Sequence, residues 1–336
     1  MKNTTNKIIG LIALNSIRGI GPAFIKKNVV VGTFAEGANL SHEISEILMR
    51  NNKGIDLFET EKVVRFAYEI YEQCLRENIS ITGLTASDYP SLLSELNDPP
   101  PVLYYRGEKR LLDAKTVAII GTRKPTNNGS RIAERIGSHF ANLNWSICNG
   151  LSEGIDDFSI KLEDKMHQSV IGILAGGLNY ATKKTISKKV VANANEVLAN
   201  GGLLLSECPP DTKENPNAII KSCRIQAGIS DGLILVQSSL NGGSRFATKA
   251  FAEMKRPIGV INPIAEDWDN EEFEANRELA NNSFEGLAKF VDIKREKIKA
   301  ITVLAIKSKS DYSIFEGLMQ LNKHGFDKDI RTSLFD

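Results

Sequence analysis

Apolar residues recur at helical spacing through the first eighty positions, at Leu11, Leu14 and Ile17 and again along EKVVRFAYEIYEQCLREN, which predicts a group of amphipathic helices. Beyond Ile81 the texture changes. The stretch SDYPSLLSELNDPPPVLYYRG, rich in proline and aromatic residues, reads as an extended connector. Short, uninterrupted apolar runs follow, each closed by turn residues: KTVAIIG, SVIGILAGG, GGLLLSECPP, DGLILVQSS and RPIGVINP. Runs without alternation suit parallel strands buried on both faces, and amphipathic stretches such as SRFATKAFAEMKR separate them. The pattern predicts a doubly wound, mostly parallel α/β sheet preceded by a small helical domain. The expected divisions are residues 1–80, 81–292 and a helical tail over 293–336. After Pro263 comes an acidic stretch, AEDWDNEEFE, then a basic one, DIKREKIKAITVLAIK, expected as an edge helix.

Composition narrows the picture mainly through charge. Lys plus Arg number 42 and Asp plus Glu 41 in 336 residues, so contact with a polyanion must come from a local basic patch. The cysteines Cys74, Cys148, Cys208 and Cys223 are scattered without a C-x-x-C pair, which speaks against structural zinc and a disulfide framework and for core thiols in a reducing compartment. No cofactor or metal is expected. The N-terminal Lys2, Lys7 and IIGLIAL imitate a secretion signal, but the run is short and leads into NSIRGIGP without a small-residue cleavage site. No apolar run approaches the ~18 residues of a membrane helix. The expected location is the cytoplasm.

The turn IRGIGPAFIKKNV sets Gly19, Gly21 and Pro22 between two helical stretches beside Lys26 and Lys27. It fits a helix-hairpin-helix (SAM-like) hairpin presenting backbone amides to phosphate, and equally a plain packing corner.

In an open parallel sheet ligands bind beyond the carboxyl ends of the strands, so the loops after the apolar runs are where chemistry is sought. In IIGTRKPTNNG, Gly121 permits a tight turn, Thr122 offers a hydroxyl, Arg123 a guanidinium fork for phosphate, and Gly129 close backbone approach. The loop is neither G-x-G-x-x-G nor Walker A, which disfavours an ordinary NAD or ATP site. CNGLSEGID supplies Gly150, Ser152 and Gly154, with Asp156 placed to cap the following helix. QSSLNGGSRFAT supplies Asn241, Gly242, Gly243 and Ser244 as an anion nest at a helix start, and Lys221 and Arg224 add charge ahead of the same strand. A strand-to-helix corner with capping side chains would use several of the same residues. His42, His139, His167 and His324 fall outside these loops and no nucleophile triad is apparent, so histidine acid–base catalysis is unsupported. Glu153 and Glu207 lie in or beside the loops, as possible acids or as solvated carboxylates.

These loops in this order, through SDYPSLLSELNDPPPVLYYRG, VAIIGTRKPTNNGSRIAERI, SICNGLSEGID, LLLSECPP and RIQAGISDGLILVQ, resemble the DNA-processing protein A (Smf) family. The resemblance implies a helical N-terminal domain, a Rossmann-like domain and no enzymatic chemistry. It further implies single-stranded DNA as ligand, homodimers, and delivery of the strand to a RecA-type recombinase during transformation. Arg123 corresponds to the arginine of the family's G-S/T-R loop, and Lys221 and Arg224 fall in its F-P-x-R-N-R stretch, here I-I-K-S-C-R. The family's G-I-D-x-x-A-H becomes GIDDFSI, with Ile160 for His, its G-L-D-x-x-Y-P becomes GLNYATK, and its S-G-S-L-I-T-A becomes GGSRFAT. The alternative is a nucleotide sensor or a nucleoside monophosphate phosphoribohydrolase-like enzyme of the same superfamily, to whose P-G-G-x-G-T loop residues 242–244 are faintly similar.

Overall fold

The computed structural model describes residues 2–54, 56–298 and 301–323. In chain order its strands are β1 (Ser80–Gly83), β2 (Val102–Gly107), β3 (Thr116–Ile120), β4 (Ser146–Asn149), β5 (Lys161–Leu162), β6 (Lys165–Met166), β7 (Val170–Ile173), β8 (Leu203–Ser206), β9 (Gly232–Leu235), β10 (Ile258–Ile261) and β11 (Val303–Ile306). Two compact units share the chain: residues 1–113 with 172–228, and residues 114–171 with 229–336.

The first unit opens with the helices Lys2–Ser16, Pro22–Asn28, Leu40–Arg50 and Leu57–Arg76. The first buries Ile8, Ile9, Leu11, Ile12 and Leu14, and the fourth turns Ala67, Ile70 and Cys74 inward. Asn39 and Asp56 cap the third and fourth helices by accepting from the amides of His42 and Glu59, a role short polar side chains fill at helix starts. The predicted glycine turn forms between the first two helices, with Gly19 at φ +84° and Pro22 opening the second. Lys26, however, donates its ammonium to the carbonyl of Leu96 at 2.6 Å and so serves the fold. In the same unit β1 and β8 flank β2, both antiparallel to it.

The second unit is the predicted α/β architecture. Its strands run β4, β3, β9, β10, β11, all parallel, and β3, β4, β9 and β10 are buried at every position, as continuous apolar runs require. The helices Asn127–Asn142, Ile155–Ser159, Ser244–Glu253, Glu274–Val291 and Ser310–Lys323 complete it. The segment expected as a helical tail departs from the reading. VLAI becomes β11, paired in register with β10 (Gly259 opposite Leu304), before the helix Ser310–Lys323. Residues 324–336, with His324, lie outside the described residues.

The order of these five strands fixes where a ligand can enter. From β3 the chain winds outward to β4, and from β9 it winds the other way through β10 to β11. The direction reverses between β3 and β9, the place in an open α/β sheet where ligands are bound beyond the strand ends.

Candidate functional site

Three loops meet at that reversal. The loop after β3 is stitched to the one after β9: the Thr122 amide donates to the Gln237 carbonyl at 2.7 Å and the Thr126 amide to Gln237 Oε1 at 3.0 Å. It is joined to the loop after β4 by the Ile155 amide, which donates to the Thr122 carbonyl at 3.1 Å. Gly154 makes that second joint possible. It sits at φ +83°, and a Cβ there would lie 2.4 Å from the Thr122 carbonyl oxygen and 2.6 Å from the backbone of Arg123. Of the predicted residues, Gly121, Thr122, Arg123, Gly150, Ser152, Gly154, Asn241, Gly242, Gly243 and Ser244 all belong to this cluster of loops within the second unit.

Arg123 is exposed at the centre of the first loop, and among the described residues its guanidinium has no ion-pair or hydrogen-bond partner. An exposed arginine held by a rigid loop is an available fork for phosphate. Gly243, opening the helix Ser244–Glu253, has an ordinary φ of −62° and open space where a Cβ would go. Neither strain nor packing demands glycine there; its absent side chain leaves the approach to the helix start open, while the Arg245 and Phe246 amides donate to the Gly242 and Gly243 carbonyls at 3.2 and 3.1 Å. Ser244 Oγ lies 2.5 Å from Ser238 Oγ, which fixes the loop from within.

Several predicted residues have other tasks. Thr126 caps the helix Asn127–Asn142 by accepting from the Gly129 amide at 3.0 Å, and a Cβ at Gly129 would stand 2.0 Å from Gln237 Oε1. That glycine makes room for Gln237, and its amide is spent on the cap. Asp156 does not cap the short helix it opens. Its buried carboxylate turns back and accepts from the Ser152 amide at 3.2 Å and the Ser152 hydroxyl at 2.9 Å, with the Gly150 amide as a further donor. The nest of the second loop is thus filled by an internal anion. Burial pushes the Asp156 carboxyl up to about 6, against those hydrogen bonds and the pull of Arg123, which lower it.

Lys221 and Arg224 lie in the first unit and form a different structure. The Arg224 side chain is 11% exposed and grips Glu207 with two parallel bonds of 2.8 and 2.7 Å, while its Nε lies 3.0 Å from Asp98 Oδ2. Lys221 stands 3.4 Å from the same Glu207 carboxylate. Burial alone would raise the Glu207 carboxyl, but Arg224 and Lys221 overcome it and hold the group below its ordinary range. A buried guanidinium must be neutralised where it sits. Arg224 is therefore held in an internal ion pair and not presented freely as the sequence reading expected, and Glu207 is not a proton donor near neutral pH. The cysteines fit the sequence reading at Cys74 and Cys148, which are buried; Cys208 and Cys223 are half-buried.

Three residues that shape the site gave no sequence signal. Asn149 holds the second loop, donating to the Ile119 and Asp156 carbonyls and accepting from the Leu151 amide. Gln237 joins the first and third loops, and buried Asn276 donates to the carbonyls of Val236 and Ile261 while accepting from the Ser238 amide. Asn149 and Gln237 were ordinary polar residues at the ends of apolar runs, and Asn276 one just past the acidic stretch AEDWDNEEFE. Among the described residues there is no group of three or more His, Cys, Asp or Glu fit to hold a metal ion, and no helix is long and apolar enough to cross a membrane.

The fold and the loops define an α/β protein with a loop cluster at a topological switch point, in which Arg123 is exposed and Gly243 stands in open space at a helix start. The family model of DNA recombination-mediator protein A matches residues 80–299. The chain belongs to that family, the DNA-processing protein A or Smf proteins. It is 30% identical over 186 residues to the DNA processing protein DprA of Bacillus subtilis, covering 55% of this chain and 61% of that one. Among solved structures it is similar to DprA of Streptococcus pneumoniae (TM-score 0.60, 20% identity, 93% of this chain and 94% of that one). It is also similar to DNA processing protein A of Helicobacter pylori, which binds single-stranded DNA (TM-score 0.53, 21% identity, 72% and 96%). At these identities the structural likenesses speak to the fold. The chain spans 59–62% of the length of the first bacterial relatives matched by sequence.

Proposed function

We propose that the protein binds single-stranded DNA through its phosphates, without reading bases, and passes the strand to a RecA-type recombinase in DNA uptake or a related DNA-processing role. In this reading it works in the cytoplasm as a homodimer and performs no chemistry of its own. The observation that carries the reading is the exposed Arg123 at the β3–β9 reversal, with no ion pair or hydrogen bond of its own among the described residues, in the same loop cluster as the open helix start at Gly243. Family membership supports it, as does the ligand of the Helicobacter pylori relative. A net charge of +1 supplies no general attraction, so affinity rests on local contacts and falls as salt rises.

The test is titration of a labelled oligonucleotide with wild type and Arg123→Ala over a range of salt. Loss of one phosphate contact should weaken binding at low salt and flatten the plot of log affinity against log salt by about 0.7 for a single strand. Equal affinity and equal slope would remove Arg123 from the interface.

A further inference from the structure

The acidic stretch after β10 remains without a task. It carries Glu266, Asp267, Asp269, Glu271, Glu272 and Glu274, and it is anchored to the loop cluster. Asp267 is 7% exposed, and its Oδ2 accepts from Thr126 Oγ1 at 3.4 Å. Glu266 Oε2 accepts from Asn128 Nδ2 at 3.5 Å. The segment is tied equally to the loop after β9, since the Ala275 amide donates to the Ser238 carbonyl at 3.0 Å and Asn276 accepts from the Ser238 amide at 2.9 Å.

Two carboxylates thus stand at the start of the helix Asn127–Asn142, the end whose partial positive charge would otherwise greet an anion. Their negative charge opposes the positive end of that helix. An anion binding at neighbouring Arg123 meets repulsion that grows with its own charge. A phosphodiester carries one negative charge, whereas a phosphomonoester carries about 1.5 to 2 near neutral pH.

We propose that Glu266 and Asp267 are specificity determinants of this loop cluster: they admit the singly charged phosphodiesters inside a strand and turn away terminal phosphates and nucleoside monophosphates. The assignment rests on the polyanion-binding reading above and says which form of phosphate the same site takes. It also separates a strand-binding site from one built for mononucleotides, because a mononucleotide site would have to welcome the dianion.

Competition against a labelled oligonucleotide tests it, with short 5′-hydroxyl and 5′-phosphorylated oligonucleotides of one sequence and with AMP as competitors. For wild type the two oligonucleotides should compete equally and AMP should not compete. Glu266 is exposed, so Glu266→Gln removes charge without opening the core, and a second variant adds Asp267→Asn. In both, the phosphorylated competitor should become roughly threefold stronger than its hydroxyl twin, the scale of one partly screened charge contact. A wild-type preference for the 5′-phosphate, competition by AMP, or the same ratio in all three proteins would overturn the assignment while leaving strand binding intact. Failure of wild type to bind the 5′-hydroxyl oligonucleotide would sink the polyanion reading itself and the assignment with it.

Discussion

Two arginines of this chain illustrate how burial decides what a side chain does. Arg123 is exposed and, among the described residues, makes no ion pair or hydrogen bond, so its loss should act on binding and cost stability only through its weak attraction for the Asp156 carboxylate. Arg224 is locked to Glu207 in a nearly buried pair, and removing one partner of such a pair strands the other charge at a cost of about 3–5 kcal/mol. Arg224→Ala should therefore lower the denaturant midpoint sharply, to be read by chemical unfolding beside Arg123→Ala, whose midpoint should stay close to wild type. Asp156 makes a pH prediction. Its carboxyl is raised from 3.8 to about 6 in the fold, so the stability linked to its proton is complete below about 4 and lost as pH rises through about 6, a swing of about 3 kcal/mol. Asp156→Asn cannot titrate. Measured across that window, its stability relative to wild type should improve as pH rises; a constant difference would show that Asp156 does not titrate there.

At the scale of elements, the glycine at 154 joins two loops that belong to different strands. Alanine there would meet both a positive φ and a carbonyl at 2.4 Å, so Gly154→Ala should cost about 1–3 kcal/mol and loosen the loop that carries Arg123. Hydrogen exchange at residues 121–126 should quicken in that variant; unchanged protection would mean that the joint does not hold the loop. This joint was only half legible in the sequence. The strand ends and their glycines could be read from apolar runs closed by turn residues, because local chemistry writes those signals. Which glycine faces another loop and which faces its own helix depends on contacts far along the chain, as with Gly129 and Gln237, 108 positions apart. Asp156 misled for a related reason: a carboxylate at a helix start reads as a cap, and nothing local reveals that the side chain turns back to Ser152. β11 was hidden because VLAI sits in a lysine-rich context whose apolar spacing also suits a helix.

For the molecule as a whole, the doubly wound, mostly parallel sheet was plain in the sequence, since strands buried on both faces leave unbroken apolar runs. The Arg224–Glu207 pairing was not, because two residues 17 positions apart on a helix and after a strand share no periodicity. The division into compact units was equally out of reach of any left-to-right scan. The backbone passes from one unit to the other at 113/114, at 171/172 and at 228/229. Each body is therefore assembled from two separate lengths of polypeptide, and no single cut in the gene yields either one whole. A fragment ending near residue 113 carries the helices but lacks β8, while one beginning near 229 carries β9 to β11 but lacks β3 and β4. Dissecting this protein by terminal deletion would compare incomplete bodies, and point substitutions are the sounder instrument for assigning work to its parts.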